Sequence, residues 1–339
     1  MFKIIISFAV SCVIAVSCAA TCFAETKMEI VKKDLTAPQK LVFVGDSIAA
    51  GVGLDGYNGT GSNPPSCYAS ILKEKYFKEI DGACEFIMKN EAVSGDTSSD
   101  LLEKLQSGSL DASIYGSNAV VISIGGNDIM GPALDFLTQD LNIKSEQDVK
   151  NFDTSTLASP ATLAKINDKL NIISENLSRF KSNLENIIST IRAKSNGVII
   201  FQTVYNPLDS NKSITILSET IGGKINELNN IIINGAKDEN GNERYLVCDV
   251  FSAFAGKSKE YTNINKYDIH PNAEGHKVIS ELVDKQIKTQ KYTFEELVEV
   301  KDSPKQKMST TKIYVTVGLF FGGFFILFAF VWIKFKRSQ

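Results

Sequence analysis

The stretch Leu41-Val42-Phe43-Val44-Gly45-Asp46-Ser47 decides the fold. Four apolar residues, three of them β-branched or aromatic, form a strand too short for a helix and too apolar for a sheet face in water. The glycine and aspartate that follow end the strand in a turn, so Ser47 stands at a strand-to-helix junction. Similar runs recur at Glu85–Lys89, Ala119–Ile124, Val198–Thr203 and Tyr245–Val250. Runs this short and this apolar suit parallel strands buried on both faces.

Longer amphipathic stretches separate them: Cys67–Phe77, Ser98–Leu105, Leu163–Lys194, Ile214–Lys237 and Ala273–Ile287. In Leu163–Lys194 the apolar residues fall three or four apart, a single stripe that packs on a sheet. Alternating strands and helices define an α/β class, a three-layer α/β/α sandwich around a mainly parallel five-stranded sheet. Pro132–Ser159 breaks the periodicity and is expected to form an insertion over the active-site end. We expect the globular domain at 37–290.

The chain has 339 residues and 43% hydrophobic content, enough for a full core. A net charge of −3 and a pI near 5.6 exclude the basic face of a nucleic-acid binder. Lys3, the apolar run Ile4–Ala20 and the small-residue site Cys22-Phe23-Ala24 read as an export signal over residues 1–24, cleaved or retained as an anchor. Tyr314–Ile333 is apolar and uncharged, and about 20 residues span about 30 Å, one hydrocarbon core. The expectation is a transmembrane helix at 313–333, reached by a stalk at 291–312. A cytoplasmic tail at 334–339 carries Lys334, Lys336 and Arg337, which places the catalytic body outside the cell. The mature chain keeps Cys67, Cys84 and Cys248, without a C-x-x-C pair, so no metal site is expected. A Cys67–Cys84 disulfide is open in an oxidising exterior.

Two further blocks end predicted strands, Val93-Ser94-Gly95-Asp96 and Gly125-Gly126-Asn127-Asp128. Asp268-Ile269-His270-Pro271 precedes the last helix, and the only other histidine is His276. The three blocks at strand ends converge on the carboxyl edge of the sheet, where open α/β folds bind ligands, and the His270 block could reach the same edge. Gly51-Val52-Gly53-Leu54-Asp55-Gly56 matches a dinucleotide fingerprint in letters only. It begins past the strand and runs into a glycine-rich loop, so we assign it no cofactor.

Gly45-Asp46-Ser47, Gly95, Gly125-x-Asn127-Asp128 and His270-Pro271 resemble the four signature blocks of the SGNH (GDSL-type) hydrolases, in that family's order. Tyr205-Asn206-Pro207 is also similar to the family. The resemblance covers about residues 40–288 and implies a flavodoxin-like sheet, an esterase or lipase activity, and catalysis without a metal or cofactor. It implies Ser47 as nucleophile and His270 as its base, with the backbone N–H of Ser47 and Gly95 and the Asn127 amide as oxyanion donors. The family's aspartate stands three residues before the histidine, where this chain has Tyr267. Asp268, two before, is the expected partner of His270; a backbone carbonyl in that role or a Ser–His dyad are the alternatives. Lipid and carbohydrate O-acyl esters are both compatible substrates, and the small polar residues of 51–66 lean toward a short acyl group. A binding module that has lost catalysis is the second reading, supported only by the displaced Asp268.

Overall fold

A computed structural model describes residues 26–80, 82–144, 146–209 and 215–301. They divide into two compact units, residues 34–294 and a smaller one that includes described residues 26–33 and 295–301. Strand β1 (Thr26–Leu35) and the last strand (Tyr292–Lys301), which hold all the described residues of the smaller unit, form a two-stranded sheet. Lys32 pairs with Glu295 and Lys33 with Glu296 across it. Part of the expected stalk is therefore strand, because Tyr292–Lys301 finds a partner for its backbone.

The larger unit is built on strands β2 (Lys40–Gly45), β3 (Ile87–Asn90), β4 (Ala119–Ser123), β5 (Val198–Gln202) and β6 (Leu246–Cys248). They lie in the order β3-β2-β4-β5-β6, and every pairing is parallel. Counted within the sheet this is the flavodoxin-like order, whose switch point falls between β2 and β4. The helices that matter here are α1 (Ser47–Ala50), α2 (Tyr68–Glu79), α3 (Ser98–Gln106), α4 (Gly126–Asp135), α5 (Pro160–Arg192), α6 (Thr215–Asn234) and α7 (Ala273–Ile287), with further short helices between them.

Each strand sends alternate residues to opposite faces. Val42, Val44, Val120 and Phe201 meet α3, α5 and α6 through Leu105, Phe180 and Leu228. Leu41, Phe43, Val121 and Ile200 meet α2 and α7 through Tyr68, Leu72, Ile279 and Val283. This is the three-layer sandwich expected from the alternation.

The expected fold needs one correction. Among the described residues no helix is long and apolar enough to cross a membrane. The segment 313–333, on which the expectation of a transmembrane helix rested, lies outside the described residues, as do 1–24 and 334–339. Two smaller differences have local causes. Strand β6 stops at Cys248 because Asp249 accepts the Ser252 N–H and caps a short helix, Val250–Phe254. Helix α4 runs through Pro132, where the pattern suggested a break. Proline cannot donate to the carbonyl four residues back, here Asp128. Asn176 Nδ2 of α5 donates to that oxygen instead, at 2.8 Å.

Candidate active site

Gly45 closes β2 at φ +127°, and a Cβ there would lie 1.8 Å from the Ser123 carbonyl oxygen. Only glycine permits this approach, through which the Asp46 N–H reaches Ser123 O at 2.9 Å. The Asp46 carboxylate accepts from the Ile48 N–H and from Ser123 Oγ, each at 3.0 Å. It thereby caps α1 and presents Ser47 at the first helical position, almost fully buried. Burial pushes the Asp46 carboxyl up to about 7, against the pull of those bonds.

The loop after β3 is tied to the same turn by the Val93 N–H, which donates to Gly45 O at 2.8 Å. Gly95 adopts φ +91° with open space around a hypothetical Cβ, so its backbone, not crowding, calls for glycine. Asn127 Nδ2 donates to Asp96 O at 2.8 Å, which orients the amide and leaves its second N–H. Asp128 accepts from both the N–H and Oγ of Ser98, at 2.9 and 2.6 Å, joining α4 to the start of α3. Among the described residues, no backbone carbonyl takes up the N–H of Ser47 or of Gly95.

His270 and Asp268 sit on the loop before α7. Asp268 Oδ1 bonds His270 Nδ1 and also accepts the His270 backbone N–H at 3.0 Å. The carboxylate two residues away reaches the ring because the Asp268 side chain folds forward in an Asx turn closed by the His270 N–H; Tyr267, just before it, is left-handed at φ 60°. Asn263 braces this loop: its N–H donates to His270 O at 2.9 Å, its carbonyl accepts from Asp268, and its Nδ2 donates to Gly53 O at 3.0 Å. Tyr205 Oη donates to Ile269 O at 2.7 Å, fastening the loop to the end of β5.

One cavity of about 380 Å³ is lined by Ser47, Gly95, Asn127, Asp268 and His270 together. Every residue that the sequence marked for the site lies on it. A larger hollow of about 730 Å³, lined by Asn118, Val198 and Leu246, opens at the amino ends of the strands. Its arginines are engaged, Arg192 on Gly197 O and Arg244 on Glu185, and none of the four blocks reaches it.

The remaining residues singled out in the sequence are structural. His276 is fully buried, stacked on Tyr68, and burial lowers it to about 3. Cys67, Cys84 and Cys248 are free thiols, so no Cys67–Cys84 disulfide forms. Cys67 Sγ is turned to Ala49 O, and burial pushes its thiol up to about 11. Among the described residues no cluster of His, Cys, Asp and Glu could hold a metal ion. The glycine-rich decoy has a different use. Gly53 (φ +86°) packs so tightly that a Cβ would stand 2.7 Å from Asp268 Oδ2 and 3.1 Å from His270 Cβ. Sequence reasoning missed both Gly53 and Asn263.

A serine at the switch-point turn, an imidazole held by a carboxylate and converging amides define a carboxylic ester hydrolase. Residues 43–278 match the family model of the GDSL-like lipase/acylhydrolases, and the chain belongs to that family. It is similar to the uncharacterized protein YpmR of Bacillus subtilis (strain 168), 28% identical over 247 residues, 72% of this chain and 80% of that one. Its fold is similar to that of an extracellular lipase from Streptomyces rimosus, with a TM-score of 0.50 at 17% identity over 73% and 98% of the chains. The lipase Lip_vut3 from a goat rumen metagenome aligns with a TM-score of 0.48 at 20% identity, over 73% and 96%.

Proposed function

We propose that this chain is a serine esterase that cleaves lipid or carbohydrate O-acyl esters through an acyl-serine intermediate, with Ser47, His270 and Asp268 as its catalytic residues. The observation that carries it is the Asp268–His270 pair opening onto the cavity that holds Ser47, Gly95 and Asn127. A serine hydroxyl is a weak nucleophile at neutral pH and needs a base during attack. With Nδ1 occupied by Asp268, the free ring nitrogen of His270 is Nε2. As Ser47 Oγ bonds the ester carbon, its proton passes to Nε2 and the carbonyl π pair moves onto oxygen. The N–H groups of Ser47 and Gly95 and the Asn127 amide are the donors for that oxyanion, worth about 2.7–4 kcal/mol each. The pair returns, the C–O bond to the alcohol breaks, and the imidazolium protonates the departing oxygen. Water repeats the sequence on the acyl-serine, releasing a carboxylic acid and restoring the hydroxyl.

The reading as a lapsed binding module rested on the displaced aspartate; a carboxylate that nevertheless reaches Nδ1 removes that support. The N-terminal run from Lys3 through Ala20 favours action outside the cell. The test is labelling of the full chain with a fluorophosphonate, beside hydrolysis of p-nitrophenyl acetate. Ser47→Ala abolishes both, and His270→Ala abolishes turnover, with unchanged melting temperatures. An adduct that persists in Ser47→Ala, or turnover that survives either change, refutes the roles given.

A further inference from the structure

The polar loop 51–66, from which a short acyl group was expected, contributes nothing to the cavity wall. Beside polar groups such as Ser94, Gln202 and Thr203, the wall has an apolar part from Met130 and Leu134 of α4, Val204 and Pro207 after β5, and Val250 after β6. Met130 and Leu134 stand three and seven residues beyond Asn127, which puts all three on one helix face. Leu134 is 37% exposed, an apolar side chain at the cavity mouth.

We infer that Met130 and Leu134 form the floor of an acyl-chain subsite, so that the enzyme prefers medium-chain over acetyl esters. The inference rests on the reading of Ser47 and Asn127 as nucleophile and oxyanion donor. The ester carbon must then bond Ser47 Oγ, point its oxygen at Gly95 and Asn127, and turn its leaving oxygen toward His270. The acyl chain takes the direction left, along α4. From Asn127 to Leu134 the helix advances about 10 Å. An extended chain covers about 1.2 Å per bond, so about eight carbons match that stripe. Each methylene moved from water onto it raises kcat/KM about fourfold.

The experiment is a matched pair of series on the full chain. One varies the acyl group of p-nitrophenyl esters from acetate to laurate; the other varies the alcohol of alkyl acetates. We expect kcat/KM to climb about fourfold per methylene up to hexanoate or octanoate, then level, with the alcohol series flatter. Leu134→Asn, at an exposed position, lowers the octanoate-to-acetate ratio at least tenfold, whereas Leu134→Met largely keeps it. A flat or falling acyl series, a climb confined to the alcohol series, or an unchanged ratio in Leu134→Asn overturns the subsite and leaves the esterase reading standing. No turnover of any ester, with no Ser47 adduct, overturns both.

Discussion

Replacing Gly53 by alanine separates the stability of the fold from the alignment of its site. At φ +86° an alanine pays about 1–2 kcal/mol for the left-handed backbone. For a domain of this size that lowers Tm by about 2–8 °C. The new methyl also meets Asp268 Oδ2 at 2.7 Å, Asn263 Nδ2 at 2.9 Å and His270 Cβ at 3.1 Å. Ordinary carbon contacts begin at about 3.5 Å, so these groups must retreat by about 0.4–0.8 Å. Two are side-chain tips that can move, which makes the relief cheap for the fold. It is costly for the chemistry, because one of them belongs to the carboxylate that holds the imidazole, and a shift of about 1 Å can lower a rate about 10²-fold. Gly61→Ala is the control: φ is +82°, but no atom lies within 4 Å of the added carbon. Thermal melts and kcat on p-nitrophenyl acetate should therefore diverge. Both variants lose a few degrees, and only Gly53→Ala loses activity. Wild-type kcat in Gly53→Ala, alongside the expected loss of stability, refutes the claim that this loop sets the Asp268–His270 geometry.

Two further outcomes follow from the same contacts. Asp268→Asn keeps an oxygen for both His270 N–H groups but removes the charge that favours the imidazolium, so kcat should fall about 10²–10⁴-fold; wild-type rates would make the pair a Ser–His dyad. Asp46, raised to about 7 in the fold against about 3.9 in the open chain, binds more protons folded than unfolded between those values. Stability from this group is thus present at low pH and lost as pH rises from about 4 to about 7. Asp46→Asn retains the acceptor oxygen and should gain on the wild type in urea midpoint between pH 5 and pH 8; a pH-independent difference would place the charge elsewhere.

What the sequence carried follows from which interactions are local. The central strands were legible because they are buried on both faces, as at Leu41–Val44 and Ala119–Ser123, so nearly every residue is apolar. The site blocks were legible because a strand end fixes where the next few residues lie. Asn263 and Gly53 were not. Their meaning lies in one bond and one close approach between segments 210 residues apart. Helix α4 was misjudged at Pro132 for the same reason, since the carbonyl that proline leaves open is answered by Asn176 of another helix.

The displaced aspartate shows why spacing alone misleads about a catalytic pair. Counting residues assumes that the carboxylate projects in a regular way, and in this chain it folds forward onto the His270 N–H, just after a left-handed residue. Tyr267 has no glycine-like ease there, so the turn must be held by its neighbours. The bonds from the Tyr267 N–H to Ile264 O and from the Asp268 N–H to Asn263 O supply that hold. What defines the pair is therefore the direction of Oδ1, set by its bond to the His270 N–H within a braced loop, and not its distance in sequence. The same logic makes the loop vulnerable at its supports. Asn263 and Gly53, neither of which bonds the imidazole ring or the serine hydroxyl, govern whether the acid meets its base.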